Sequence, residues 1–130
     1  MKIFVFGNPL VDQDSLPLKL ITHLQESFPE IIFVELDPQE NLEDIGGSPV
    51  ILDTVFGIKE VKVIEDIDKL EDSPRFSMHD FDLGTHLKLL RKMGKIDSVK
   101  IIGVPPELSE EEALGQIYTI LKDIFNIGKS

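Results

Sequence analysis

Three side chains lying far apart in the chain have the chemistry to share one centre: the carboxylates of Asp14 and Asp53 and the imidazole of His79. Carboxylate oxygens and a neutral imidazole nitrogen suit a divalent first-row metal. Three protein ligands leave positions open for water or a substrate atom. A carboxylate in such a centre is also a candidate general base. Each residue has a plainer reading. Asp14, or Ser15 beside it, is a natural cap for the helix that follows. Asp53 can be a turn aspartate, and His79 a loop histidine. The spacing alone does not choose, so the choice falls to the elements that carry these residues.

The first of the three follows Lys2-Ile3-Phe4-Val5-Phe6, a nearly continuous apolar run of the kind that forms a parallel strand covered on both faces. Gly7-Asn8-Pro9-Leu10-Val11-Asp12-Gln13-Asp14 comes next. Glycine permits a sharp turn as the chain leaves the strand. The acids then fall near the amino end of a helix expected over about 16–27, where backbone N–H groups favour negative charge. Leu16, Leu20, Ile21, Leu24 and Phe28 recur at helical spacing and form its apolar face.

A second strand is expected over 31–36, followed by Asp37-Pro38-Gln39-Glu40, which reads as a helix start. Val50-Ile51-Leu52 reads as a third strand that ends in Asp53, and Val61-Lys62-Val63-Ile64 as an edge strand, a candidate for antiparallel pairing. The stretch 73–82, with His79, reads as irregular. A helix over 83–93 ends at Gly94. The last strand is Val99 to Val104, and the last helix runs from Glu110 to Phe125, with Ser109 and Glu112 as a capping box. This alternation predicts a three-layer α/β/α sandwich with a mostly parallel central sheet. In such a sheet the carboxyl ends of the strands share one rim, where ligands bind. Asp14 and Asp53 then meet at that rim, and His79 can reach it from its loop.

A chain of 130 residues, 42% of them hydrophobic, suits a single domain over 1–130 with a core that needs no staples. It contains no cysteine, which removes disulfides, thiolate ligands and cysteine nucleophiles. No apolar run approaches the length that spans a bilayer, and no leader precedes the first strand, so a cytoplasmic protein without a membrane partner is expected. The net charge of −11 repels phosphate backbones and argues against nucleic acid.

Gly7-Asn8-Pro9-Leu10 with a carboxylate at Asp14, Ile51-Leu52-Asp53, Ser77-Met78-His79-Asp80, and Ile102-Gly103-Val104-Pro105-Pro106-Glu107 occur in this order along nearly the whole chain. Together they resemble the hydrogenase maturation protease family. These are endopeptidases that trim the carboxyl-terminal extension of the nickel-iron hydrogenase large subunit after nickel insertion. The resemblance implies that Asp14, Asp53 and His79 contact the metal and carry the reaction. It implies that Gly7, Asn8 and Asp37 contact the substrate. It also implies that the nickel arrives with the precursor. Asp12-Gln13-Asp14-Ser15-Leu16-Pro17 stands where the family commonly has paired acids followed by glycines.

With cysteine absent and no serine or threonine in a nucleophile motif, water is the expected nucleophile for hydrolysis. Two further readings fit parts of the pattern. A receiver-like phosphoacceptor domain also carries an aspartate at the end of its third strand. A non-catalytic relative that binds nickel or the precursor as an assembly factor accommodates the altered stretch after Asp12.

Overall fold

The computed structural model describes residues 2–6, 16–35, 47–65, 75–76 and 89–126. Within them the strands are β1 (Lys2–Val5), β2 (Ile32–Glu35), β3 (Val50–Phe56), β4 (Lys62–Ile64), β5 (Arg75–Phe76) and β6 (Lys100–Val104). The helices are α1 (Leu16–Ser27) and α2 (Glu110–Phe125), with a further helical stretch at 89–92. The sheet runs β2-β1-β3-β6-β4, and β5 pairs with the far end of β3. β2, β1, β3 and β6 are parallel, whereas β4 runs antiparallel against β6 at one edge, so the α/β class and the edge strand are as expected.

Alternation along the strands assigns the two faces. Ile3 and Val5 of β1, Val50 and Leu52 of β3, and Ile102 and Val104 of β6 form one cluster with α1 and α2. From the helices this cluster takes Leu16, Leu20, Leu24, Ala113, Ile117 and Leu121. Ile51, Val55 and Ile101 point to the opposite face and are fully buried, so this sheet is covered on both sides. That double burial is why the strands read as unbroken apolar runs.

α1 and α2 lie side by side. The rings of Phe28 and Tyr118 meet edge to face at 5.4 Å, and the hydroxyls of Ser27 and Tyr118 are 2.8 Å apart. α2 begins as its sequence demands: the Ser109 hydroxyl accepts the Glu112 N–H at 3.1 Å and donates to the Glu112 carboxylate at 3.0 Å. Glu110, Glu111 and Glu112 place negative charge on its positive end, and Lys122 lies in its last turn. Asn126, in the left-handed region at φ 54°, ends it.

Two expectations are corrected. β3 does not stop at Asp53 but continues to Phe56, because β6 extends its pairing through Thr54↔Val104. The stretch expected to be irregular contains β5, whose Arg75 and Phe76 pair antiparallel with Phe56 and Val55. Both are products of strand pairing, which supplies backbone partners that local propensity does not foresee. The helix expected after Asp37 and most of the one over 83–93 lie outside the described residues. No helix among the described residues is long and apolar enough to cross a membrane.

Candidate functional site

The chain leaves β1 toward β2 on one side, and β3 lies on the other, so the sheet changes direction between β1 and β3. In open α/β sheets this switch point is where the crevice at the carboxyl ends forms. Val5 is level with Leu52, and the Phe6 N–H donates to the Leu52 carbonyl at 2.9 Å. Asp53 is the next residue of β3. It therefore stands beside the point where the chain departs from β1, although it is inside its own strand.

Asp53 is only 1% exposed, an unusual setting for a carboxylate in a run of valine, isoleucine and leucine. Its Oδ1 accepts the N–H of Thr54 at 2.9 Å. Burying such a group costs several kcal/mol unless neighbours compensate, in the range of about 2–7 kcal/mol for a polar group without a hydrogen bond. The local bond to Thr54 is one such compensation. Asp53 faces away from α1 and α2, on the side of Ile51 and Val55.

The neighbour level with Asp53 on β6 is Gly103. A Cβ at this position would lie 2.7 Å from Val55 Cγ2 and 3.1 Å from Val55 Cβ. Carbon atoms prefer about 3.5–4.0 Å, so only glycine fits between β3 and β4 here. This gives a packing reason for the glycine in Ile102-Gly103-Val104-Pro105. Thr54, on the other face, is fully buried, and its hydroxyl has no hydrogen-bond partner among the described residues. Sequence reasoning passed over Thr54. A polar pair, Asp53-Thr54, interrupting an apolar run was the available signal.

Of the residues assigned from sequence, Asp53 is placed. Gly7, Asn8, Asp14, Asp37 and His79 lie outside the described residues. Among the described residues no group of three histidines, aspartates or glutamates gathers at metal-binding distance. The contribution of the described chain to a centre is thus one carboxylate, a hard oxygen donor of the type that suits a divalent cation.

No family model matches the sequence, and no curated protein matches it. The fold is similar to that of an endopeptidase from Escherichia coli determined in solution, with a TM-score of 0.58 and 19% sequence identity over 95% of this chain and 94% of the other. The likeness spans nearly the whole length of both chains, and what it establishes for this chain is the fold.

Proposed function

We propose that this chain is an endopeptidase of the hydrogenase maturation type, which removes the carboxyl-terminal extension of a nickel-iron hydrogenase large-subunit precursor once nickel is in place. The observation that carries the reading is Asp53: a buried acid at the switch point between β1 and β3. Its support is the similarity of the whole fold to a protein described as an endopeptidase, together with the ordered motifs around Gly7, Asp53, His79 and Gly103.

In this reading Asp14, Asp53 and His79 converge on the precursor, whose nickel is part of the substrate rather than a resident cofactor. Their oxygen and nitrogen donors match such a metal in type. Gly7, Asn8 and Asp37 contact the precursor around it. Water is the nucleophile, and one of the carboxylates removes its proton. The reaction is assigned to the cytoplasm, with no nucleic acid or membrane partner.

The receiver-like alternative expects a parallel sheet in the order 2-1-3-4-5. The antiparallel β4 at the edge departs from that arrangement. Incubation with hydrogenase large-subunit precursor, with and without nickel, tests the proposal by mass spectrometry. A nickel-dependent shift to the trimmed mass is expected. Binding of the nickel-loaded precursor without trimming overturns the peptidase assignment in favour of an assembly factor, and the absence of both overturns the family assignment.

A further inference from the structure

β2 lies at one edge of the sheet among the described residues. Its inner side is paired with β1 in the register Lys2↔Ile32 to Val5↔Glu35. The half-buried side chain of Gln25, in α1, reaches that edge. Its amide nitrogen donates to the Ile31 carbonyl at 2.7 Å and to the Phe28 carbonyl at 3.4 Å. Its carbonyl oxygen accepts the Phe33 N–H at 3.2 Å.

Ile31 and Phe33 flank Ile32. In a parallel ladder, a residue donates to the carbonyl before its partner and accepts the N–H after it. The Gln25 amide makes those same two bonds, with Ile32 in the partner's place. We infer that Gln25 is an edge-closing residue: its side-chain amide stands in for a missing strand on β2 and blocks edge-to-edge pairing with a second copy of this chain.

Unpaired N–H and C=O groups on an edge strand recruit other strands. The hazard is sharpened here by Ile32, a large apolar side chain that is 54% exposed. The net charge of −11 keeps copies apart at long range, but salt at ~0.1 M screens it beyond roughly 10 Å. At contact distance the block falls to the amide. Glutamine suits the task because it offers both a donor and an acceptor on a stem long enough to leave the helix. Asparagine is one methylene shorter, glutamate lacks the donor, and lysine lacks the acceptor.

The test compares the full chain with Gln25→Leu by amide hydrogen exchange and by sedimentation velocity over a range of concentrations. At concentrations where the variant is monomeric, Phe33 should exchange roughly fivefold faster or more than in the wild type, the ratio that one ordinary hydrogen bond represents. The sedimentation coefficient of the variant should rise with concentration more steeply than that of the wild type. Adding Ile32→Lys should abolish the excess. A residue that merely braced the turn between α1 and β2 would weaken folding without promoting association. A folded Gln25→Leu that sediments as the wild type does overturns the inference. So does a Phe33 amide that exchanges at the open-chain rate in the wild type, a measurement that needs no variant to fold.

Discussion

Gly103→Ala adds one methyl group at the level of Asp53, and its cost can be worked from distances. Two effects favour alanine. It is better than glycine inside a strand by about 0.5–1 kcal/mol, and a buried methyl contributes about 0.8 kcal/mol. Against these stands the contact with Val55, at 2.7 Å to Cγ2 and 3.1 Å to Cβ. Rotating Val55 about χ1 swings Cγ2 away but leaves Cβ where it is. Val55 is fully buried and paired with Phe76, so the strand has little room to retreat. Overpacking of this kind costs about 1–3 kcal/mol, and the depth of overlap argues for the upper end. The net expectation is a loss of roughly 1–2 kcal/mol, from about 3 lost and about 1.5 gained. Urea titration should show a lower midpoint with unchanged slope, and thermal melting a fall of roughly 4–8 °C. Val55→Ala should relieve the crowding, so the double variant should be more stable than the sum of the singles implies by about 1 kcal/mol or more. An unchanged or raised midpoint in Gly103→Ala, or strict additivity with Val55→Ala, would refute the steric argument.

Thr54→Val replaces a buried hydroxyl that has no partner among the described residues with a methyl group of similar shape, and should stabilise the fold by about 1–2 kcal/mol in chemical denaturation. A loss would mean that the hydroxyl is satisfied. Ser109→Ala removes both hydroxyl bonds at the start of α2 and should cost about 0.5–2 kcal/mol, whereas Ser109→Asp should retain most of the stability. Asp53→Asn keeps the acceptor for the Thr54 N–H and the side-chain volume; it should abolish precursor trimming while circular dichroism stays native. Trimming at the wild-type rate would remove Asp53 from the site.

Local chemistry made much of this fold readable. Ser109 and Glu112 announce α2 because a cap and a carboxylate lie three residues apart; the cap bond from the Glu112 N–H is formed as expected, while the Glu112 carboxylate takes its bond from the Ser109 hydroxyl rather than from the backbone. β3 and β6 announce themselves because burial on both faces forces continuous apolar runs. Where residues were misjudged, the deciding partner was distant in sequence. Asp53 ended the apolar run on paper, but β6 carries the ladder past it. Arg75 and Phe76 have no periodicity of their own and become a strand only against Val55 and Phe56. Gln25 is an ordinary helical residue until β2 places Ile31 and Phe33 beside it. For the site, Asp53 was legible as an acid where apolar residues were due. The tightness around Gly103 was not, since glycine at a close approach looks the same in a sequence as glycine at a turn.

The position of β6 carries a consequence for the order in which the molecule is made. β4 has emerged from the ribosome long before Lys100–Val104, yet its ladder partner is β6. A chain ending short of Lys100 therefore lacks the one ladder partner that β4 has among the described strands, and leaves the β6 side of β3 unpaired. Such distant pairing makes for slow, non-local folding, and it means that the surroundings of Asp53 are complete only once β6 has paired with β3.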